Sequence, residues 1–468
     1  MADTHDLIVL GGGTGGYSTA LRAASLGMSV ALVERDKVGG TCLHWGCIPT
    51  KALLQSAEIA EHAKRAEEFG VKASFEAVEV AAVLDFKQSI VDASHKGLQH
   101  SLKNRGVETV PGTGRLADPR TVVADTEDGE RTLQASRGVV LATGSVPRDL
   151  PVEGAETDGE RIINSDHALY LDRVPERPII IGAGAIGVEF ATIWNAFGAE
   201  EVTVVEALDA IVPLEDVDTQ KELTKQLKRR GITTRTSAQV TGVEKGDGGV
   251  RVTVSTGNGE ETLEGDVCLV AIGRRPVTDG LGYEEAGVSL DRGYVEIDQY
   301  CQPGPDGLYA VGDILPPYTL GLAHSSFQEG ILVAEHAAGQ PVVPIDYAGV
   351  PRVTYSHPEV GSVGLTEQQL RERKLEYEVQ RFPFSHNGRA AMMKESGHVK
   401  VLAGKDGGQV LGVHIVGPKA TDLIAEGQLI YNWEALPTEV AQFIHPHPTL
   451  SEAVGEAHLA LAGKPLHG

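Results

Sequence analysis

The two cysteines Cys42 and Cys47 have the most specific chemistry of any residues in this chain. They lie in the run 39–51, separated by four residues, and the whole chain contains only four cysteines. No secretory signal is recognised, so a structural disulfide is not expected; paired cysteines in a reducing compartment are more often catalytic or metal-bound. Zinc sites usually combine a tighter spacing with a second cysteine pair, which this sequence lacks. We therefore interpret the pair as a redox-active dithiol.

A dinucleotide-binding motif precedes the cysteines. The apolar segment 7–10 leads into Gly11, Gly13 and Gly16, then an alanine-rich helix and a second strand that ends at Glu34. Such glycines permit a tight turn, close approach of a pyrophosphate and helix–strand packing, while the acid can bind a ribose. The pattern predicts a Rossmann-like unit whose helix N-terminus binds the phosphates.

A second copy of this motif follows in the middle of the chain. The apolar strand 179–181 leads into Gly182, Gly184 and Gly187, and the next strand ends at Glu206. The carboxylate of Glu206 would repel a 2′-phosphate, and no arginine follows it directly, so we predict NAD rather than NADP. Two such units and a cysteine pair imply hydride and electron transfer between three redox centres.

Length and charge limit the classes of function. The 468 residues exceed what one hydrophobic core supports, so we expect roughly two to four domains. The formal net charge of -24 argues against a nucleic-acid partner, because phosphate binding needs a basic surface. No apolar stretch is long enough to span a membrane, and the N-terminus enters a predicted strand at once. We expect a cytoplasmic protein, or else the mature form of an organellar one.

The order of the short motifs along the chain is distinctive. Besides the glycine loops and the cysteine run, these motifs are the segments 142–144, 271–276, 308–313, 353–359 and 445–452. In these residues and their order the chain resembles, from end to end, the pyridine nucleotide–disulfide oxidoreductases, and within them the enzymes that oxidise dihydrolipoamide. The resemblance implies an α/β fold: two Rossmann-like dinucleotide-binding domains, for FAD and NAD, and a C-terminal α+β dimerisation domain.

The resemblance also implies domain boundaries and an assembly. The FAD-binding domain would cover 1–149 and the NAD-binding domain 150–275. A central domain over 276–346 would complete the FAD site, and 347–468 would form the dimerisation domain of a homodimer. The partners would be the lipoyl domains and acyltransferase core of 2-oxoacid dehydrogenase complexes, or the glycine cleavage protein. Which of these complexes it serves is left open.

By the same resemblance, Cys42 is the interchange thiol that meets the substrate, and Cys47 is the thiol that contacts the flavin. A substrate dithiol must lose a proton before it attacks their disulfide, and a histidine with a pKa of about 6.5 suits that task. The predicted base is His447, which would reach the disulfide of the other subunit, with Glu452 orienting its imidazole. A metal site at His445 and His447 is the alternative, which the flanking prolines disfavour.

The implied cofactors are FAD and NAD, and no metal is expected. Asp313 would bind the ribityl chain of FAD, and Lys51 and Glu189 would form a buried ion pair beside the flavin. The complete set of predicted cofactor-binding residues is Gly11, Gly13, Gly16, Glu34, Thr41, Lys51, Gly114, Thr143, Gly144, Gly182, Gly184, Ile186, Gly187, Glu189, Glu206, Val240, Gly273, Asp313 and Ala323.

The predicted function is the oxidation of protein-bound dihydrolipoamide to lipoamide, with electrons passing through the Cys42–Cys47 disulfide and FAD to NAD⁺. The alternatives are a related NAD(P)H-dependent disulfide or mercuric-type reductase, and a non-catalytic flavoprotein scaffold. A mercuric-type reductase would carry C-terminal cysteines, and the segment 457–468 has none. A scaffold would be expected to have lost Cys42, Cys47 or His447, and all three are present.

A few positions differ from the commonest family pattern or indicate no chemistry. His44 and Trp45 replace the usual residues between the cysteines, and an aromatic side chain there would alter substrate access. Cys268 lies in a pattern typical of a buried strand, so we expect it to serve packing. The charged stretch 367–378 is interpreted as a solvent-exposed helical face. A cis peptide bond is expected before Pro448.

Overall fold

The computed structural model describes residues 3–246 and 248–467. The chain forms two compact units, each assembled from three stretches of sequence. The first unit combines the stretch ending at Ala52 with Ala81–Arg148 and Gly273–Tyr347. The second combines Leu53–Val80, Asp149–Ile272 and the stretch beginning at Ala348. The four-domain division with boundaries after residues 149, 275 and 346 remains a prediction.

The first unit is built on a mostly parallel seven-stranded sheet. In spatial order its strands are Glu108–Pro111, Val30–Glu34, Asp3–Leu10, Gly129–Leu141, Thr121–Thr126 and Thr113–Asp118, with Leu308–Ala310 also paired to Gly129–Leu141. The strand Thr121–Thr126 pairs in antiparallel fashion with both of its neighbours, Gly129–Leu141 and Thr113–Asp118, and the other pairings are parallel. Two short antiparallel pairs join Ser145–Pro147 to Arg274–Pro276 and Leu290–Asp291 to Tyr294–Val295.

Both faces of this sheet are buried, which explains the uninterrupted apolar run at its centre. Leu7 and Val9 pack into one hydrophobic cluster, whereas Ile8 and Leu10 pack into another. A strand covered on both sides reads as continuously apolar rather than alternating. The helices of this part of the chain are Thr14–Ser25, Cys47–Arg65, Val80–Asn104 and Ala323–Ala337.

The second unit contains a second nucleotide-binding fold. Its five-stranded parallel sheet has the order Ile232–Arg235, Val202–Val205, Pro178–Ile181, Val267–Val270 and Ile162–Asn164. Beside it lies an antiparallel sheet of Gln239–Gly246, Gly249–Thr256 and Gly259–Gly265, and the main helices are Ala185–Phe197 and Val217–Arg229. As predicted, Cys268 is fully buried in a strand, and burial raises the pKa of its thiol to about 12.

The C-terminal part of the second unit is a five-stranded antiparallel sheet with helices. The strand order is Arg352–Thr354, Glu359–Gly364, Val410–Gly417, His398–Gly404 and Tyr377–Pro383. The helices of this part are Glu367–Glu372, Gly388–Met393, Ala420–Asn432, Pro437–Val440 and Glu452–Leu461.

The predicted α/β fold class is confirmed, with two dinucleotide-type folds and a C-terminal α+β part. The predicted cis bond before Pro448 is present. The stretch 367–378 is mostly exposed, as predicted, but only its first half is helical, because the helix ends at Glu372. At its start, one carboxylate oxygen of Glu367 accepts a bond from the buried Lys400. No helix in the described part of the chain combines the length and apolar character that a membrane-spanning segment needs.

Candidate active site

The cysteine pair lies on a tight turn that leads into a long helix. Thr41–Trp45 forms one π-helical turn, and the helix Cys47–Arg65 begins at the second cysteine. The side chains of Cys42 and Cys47 are hydrogen-bonded to each other, and this bond together with burial raises the pKa of Cys42 well above its ordinary value. The ammonium group of Lys51, further along the helix, opposes this rise because it stabilises the thiolate.

Gly40 brings this turn against the first dinucleotide loop. Its backbone has φ 56° and ψ -152°, a region that residues with side chains avoid. A Cβ built on Gly40 would lie 2.6 Å from the Cα of Gly13. The N–H of Gly39 also donates to the carbonyl oxygen of Gly12 at 2.8 Å. Backbone atoms therefore hold the cysteine turn and the nucleotide loop in direct contact.

The first dinucleotide loop is sterically closed at two of its glycines and open at the third. A Cβ on Gly11 would lie 2.2 Å from the carbonyl oxygen of Ala142, and one on Gly16 would lie 1.9 Å from that of Gly11. At Gly13, no atom in the described part of the chain comes within 4 Å of such a Cβ. Gly13 directly precedes the helix Thr14–Ser25, so the open space adjoins a helix N-terminus, where anions are stabilised.

The second loop repeats this steric design. A Cβ on Gly182 would lie 2.4 Å from the carbonyl oxygen of Ala271, and one on Gly187 would lie 1.9 Å from that of Gly182. At Gly184, which directly precedes the helix Ala185–Phe197, nothing within 3–246 and 248–467 lies within 4 Å of the built Cβ. Both loops thus fit the pyrophosphate of a dinucleotide.

In each dinucleotide motif the second strand leads to one acidic residue, and backbone N–H groups hold its carboxylate in place. One carboxylate oxygen of Glu34 accepts from the N–H of Gly12 at 2.7 Å, and one of Glu206 accepts from that of Ala183 at 2.8 Å. The other oxygen of each carboxylate accepts from the N–H two residues further along, at 2.9 Å in both cases. Because a carboxylate has about four acceptor positions, each retains capacity for ribose hydroxyls.

Asp313 belongs to a small polar network in the first unit. Its Oδ2 atom accepts from the hydroxyl of Ser145 at 2.5 Å, and Arg274 donates to that same hydroxyl oxygen at 2.7 Å. Arg274 also reaches Thr41 on the cysteine turn, at 3.3 Å. Burial raises the pKa of Asp313. This network connects the residue predicted to bind the ribityl chain with the turn that carries the thiols.

The remaining predicted residues of the first unit occupy loops and element ends. Thr143 donates to the carbonyl oxygen of Val277 at 2.5 Å, and Gly144 has φ 70°. A Cβ on Gly114 would lie 2.4 Å from the side chain of Leu10, so this glycine lets its strand approach the sheet core closely. Ala323 begins the helix Ala323–Ala337, and Gly273 has φ 109°.

In the second unit the predicted nucleotide residues differ in environment. Ile186 is half-buried in the first turn of its helix. Val240 is 7% exposed and packs in the hydrophobic core of this unit. Glu189 is 3% exposed and accepts from the N–H of Tyr355 at 3.0 Å. Its predicted ion pair with Lys51 remains a prediction.

The predicted acid–base pair lies near the C-terminus. The Nδ1 atom of His447 is 2.8 Å from a carboxylate oxygen of Glu452, whose other oxygen accepts from the N–H of Thr449 at 2.8 Å. Although burial acts to raise it, these two bonds lower the pKa of Glu452. The imidazole of His447 is 81% exposed. His445 bonds to a different carboxylate, that of Glu426, at 2.7 Å, and this bond raises the pKa of His445.

The two unusual residues between the cysteines have different environments. His44 is 6% exposed, and its Nε2 atom lies 3.0 Å from the carbonyl oxygen of Val38. Its ring meets that of His95 edge-on, with centroids 4.9 Å apart. Trp45 is 37% exposed. His44 therefore anchors the turn to its surroundings, and Trp45 is the member of the pair that reaches the surface.

Sequence reasoning missed several polar residues around the site. Burial, followed by the charges of the two cysteines, raises the pKa of Tyr17 to about 12. Glu329 is 1% exposed, accepts from the N–H of Gly312 at 2.7 Å, and has its pKa raised to about 8 by burial. Ser145 and Arg274 form the network around Asp313. Of these, only Arg274 lies in a motif that the sequence singled out.

The comparisons with known proteins cover nearly the whole chain. Residues 5–340 match the family described as pyridine nucleotide-disulphide oxidoreductase, and 350–458 match the dimerisation domain of the same family. The chain belongs to the pyridine nucleotide-disulphide oxidoreductases. It is 40% identical to a dihydrolipoyl dehydrogenase of Bacillus subtilis (strain 168), with 100% of both chains covered. It is 39% identical to a mitochondrial dihydrolipoyl dehydrogenase of Pisum sativum, with 100% of this chain and 93% of the other covered.

A solved structure agrees with these relatives. A crystal structure of LpdA from Mycobacterium tuberculosis superposes with a TM-score of 0.89 at 29% identity, covering 98% of this chain and 100% of the other. Membership of the pyridine nucleotide-disulphide oxidoreductases implies FAD and NAD as cofactors, in agreement with the two loops. The dimerisation domain supports a homodimer.

Proposed function

We propose that this chain oxidises dihydrolipoamide to lipoamide and passes the electrons through Cys42, Cys47 and FAD to NAD⁺. The observation that carries the proposal is the contact between the cysteine turn and the first dinucleotide loop at Gly40 and Gly13. This contact brings a thiol pair next to the place where a dinucleotide would bind. Relatives named dihydrolipoyl dehydrogenase, aligned over the full chain, support the choice of substrate.

The proposed sulfur chemistry is a balanced thiol–disulfide exchange. In the oxidised enzyme Cys42 and Cys47 form a disulfide. One substrate thiolate attacks the sulfur of Cys42, a mixed disulfide forms, and Cys47 leaves as a thiolate near Lys51. The second substrate thiol then attacks the substrate sulfur of the mixed disulfide and releases Cys42. The substrate loses two electrons and two protons: the enzyme pair gains the electrons, one proton passes to a base, and the other is taken up by the released Cys42.

His447 is the proposed acceptor of the substrate proton. Its exposed imidazole is free to approach another molecule, and the Glu452 carboxylate 2.8 Å from Nδ1 favours the tautomer with a proton there. The Nε2 atom is then the base, and the carboxylate stabilises the imidazolium that forms. We propose that each His447 serves the cysteines of the partner subunit in the homodimer.

FAD, when bound, would accept the electrons of the thiol pair and deliver hydride to NAD⁺. For its binding we propose the residues Gly11, Gly13, Gly16, Glu34, Thr41, Lys51, Gly114, Thr143, Gly144, Gly273, Asp313 and Ala323. For NAD we propose Gly182, Gly184, Ile186, Gly187, Glu189, Glu206 and Val240. The fixed carboxylate of Glu206, which disfavours a 2′-phosphate, supports NAD over NADP.

We further propose that the lipoyl domains and acyltransferase core of a 2-oxoacid dehydrogenase complex, or the glycine cleavage protein, are the partners. A thiol pair that cycles between its two oxidation states also favours a cytoplasmic location. Pull-down with a lipoylated domain, compared with the same domain lacking the lipoyl group, tests the partner proposal.

The variant Cys47→Ser tests the mechanism, with Cys268→Ser as a matched control. The FAD-loaded proteins are assayed for NADH production from dihydrolipoamide. We expect steady production to be lost in Cys47→Ser and kept in Cys268→Ser. Sustained turnover by Cys47→Ser would refute the proposed route. Turnover of glutathione disulfide and of Hg²⁺, each with NADH and with NADPH, is measured separately. Faster turnover of either one than of dihydrolipoamide would favour one of the alternative reductases.

A further inference from the structure

The segment between Glu206 and the helix Val217–Arg229 returns to the second dinucleotide loop. The N–H of Val212 donates to the carbonyl oxygen of Ala183 at 2.8 Å, and the N–H of Ala183 donates to Glu206 at 2.8 Å. Ala183 lies between the first two glycines of this loop. Both backbone polar groups of Ala183 are therefore held by the two ends of one segment, 206–212.

Val212 has a strained backbone conformation that its surroundings must stabilise. Its φ is 40°, which is rare for a β-branched residue, and its side chain is 4% exposed. Strained backbone of this kind persists only where the surroundings enforce it. The next three residues provide this support, because the N–H of Glu215 closes a turn onto the carbonyl oxygen of Val212 at 2.9 Å.

Two consecutive buried carboxylates then fasten the segment to the dimerisation domain. Glu215, 8% exposed, accepts from Arg352 at 3.3 Å and from the hydroxyl of Ser362 through a short hydrogen bond. Asp216, 1% exposed, accepts from Lys400 at 2.8 Å and from the N–H of Glu367 at 3.0 Å. These four partners lie within 350–458, the part that matches the dimerisation domain of the family.

The central charges of this attachment, Lys400 and Asp216, are removed from water. Lys400 is 0% exposed and also bonds to Asp218 at 2.9 Å and to Glu367 at 2.6 Å. Asp216 additionally caps the helix that follows, accepting from the N–H of Asp218 at 3.0 Å. Moving the segment away would leave buried charges without their partners, which is costly. The network therefore favours this one position of the segment.

We infer that Glu215 and Asp216 are positioning residues for the nicotinamide nucleotide site. They act through Val212 on Ala183, and so the dimerisation domain fixes the geometry of the loop that receives the pyrophosphate. This inference rests on the proposed assignment of this loop to NAD. It makes nucleotide affinity depend on Arg352, Ser362 and Lys400, which lie far along the chain from the loop.

The variant Glu215→Gln tests the inference in the FAD-loaded dimer. The amide keeps the size of the side chain but removes the charge that faces Arg352. We expect KM for NAD⁺ and the Kd for NADH, measured by direct titration, to rise about 5- to 20-fold, a range typical of coupling between sites. KM for dihydrolipoamide should not change. Glu244→Gln is the matched control, because Glu244 is exposed and its pair with Arg251 lies at the surface.

Several outcomes are decisive. A Glu215→Gln variant that loses thermal stability but binds NADH like the wild type would show a merely structural role and overturn the inference. If that variant does not fold, Ser362→Ala, which deletes a single hydrogen bond to Glu215, replaces it with the same expected direction. The NADH titration does not involve a thiol substrate, so it separates this inference from the proposed function. A wild type that binds NADH but fails to oxidise dihydrolipoamide would contradict only the proposed function.

Discussion

Replacing Lys400 by methionine should destabilise the second unit strongly. The ammonium group of Lys400 bonds to Asp216, Asp218 and Glu367 at 2.8, 2.9 and 2.6 Å. The side chains of Lys400 and Asp216 are both 0% exposed, and that of Glu367 is 14% exposed. Methionine has a similar length but no charge, so the variant leaves all three carboxylates without their cation and leaves Asp216 without water as well, whereas Asp218 is 27% exposed.

The magnitude follows from this burial. Breaking a buried ion pair by removing one partner costs about 3–5 kcal/mol, because the remaining charge stays desolvated. For a cooperative unit of this size, such a loss lowers Tm by roughly 6–20 °C. Lys405→Met is the matched control, since Lys405 is 51% exposed and lies 3.4 Å from a Glu376 that is 77% exposed. An exposed pair contributes about 0–1 kcal/mol, so we expect the Tm of the control to stay close to that of the wild type.

The effect should also depend on pH with a definite sign. Burial acts to raise the pKa values of Asp218 and Glu367, but their bonds to Lys400 lower them below the ordinary range. Their stabilising contribution is therefore present above the ordinary carboxylate pKa, about 4, and is lost as the pH falls through the lowered values. In Lys400→Met the raising effect of burial is no longer opposed by the cation, so the carboxylates take up protons at higher pH. The Tm difference from the wild type should therefore narrow as the pH falls from neutral towards the ordinary carboxylate pKa of about 4. Thermal unfolding of the FAD-loaded proteins, followed by circular dichroism, measures both effects. Equal Tm values for Lys400→Met and Lys405→Met at pH 7 would refute the reasoning.

Two further substitutions test the site itself. Gly40→Ala should displace the cysteine turn and lower dithiol turnover, because the new Cβ meets Gly13 and the backbone conformation carries strain of about 1–3 kcal/mol. Gly27→Ala is the control and should stay active. Gly27 also has a positive φ, but no atom of the described chain lies within 4 Å of its built Cβ. His447→Gln should slow dihydrolipoamide oxidation about 10²- to 10⁴-fold and leave NADH-driven reduction of FAD unchanged. Stopped-flow absorbance measures the two half-reactions separately. An equal loss of rate in both would contradict a role of His447 as the substrate base.

The dinucleotide loops could be predicted residue by residue because their requirements are local. At Gly11 and Gly16 a carbonyl oxygen lies so near that a methyl group does not fit. Only glycine is tolerated at these two positions, so their spacing in the sequence predicts the loop. The strand-to-acid pattern predicted Glu34 for the same reason. Periodicity also indicated the helix that ends at Phe197, followed by Gly198 at φ 111°.

Long-range polar contacts could not be predicted in this way. The charged stretch that begins at Glu367 has the composition of a solvated helix, and nothing local reveals that Lys400, on a strand of a distant hairpin, bonds to it. Ser145 was not predicted, and Arg274 was noted only as part of the motif 271–276, because both residues meet Asp313 only once the chain has folded. Local motifs could therefore predict the glycine loops, whereas polar contacts between distant parts of the chain became visible only in the folded structure.

The open middle position of each glycine loop makes the two nucleotides separable by experiment. Gly13 and Gly184 have φ values of -69° and -72°, which alanine adopts without strain. One added methyl group at either residue would occupy the space in which we propose that a phosphate binds. Gly13→Ala should thus weaken flavin binding and Gly184→Ala nicotinamide binding, each in an otherwise unchanged chain. Comparing the two variants would show which half of the electron transfer path still operates.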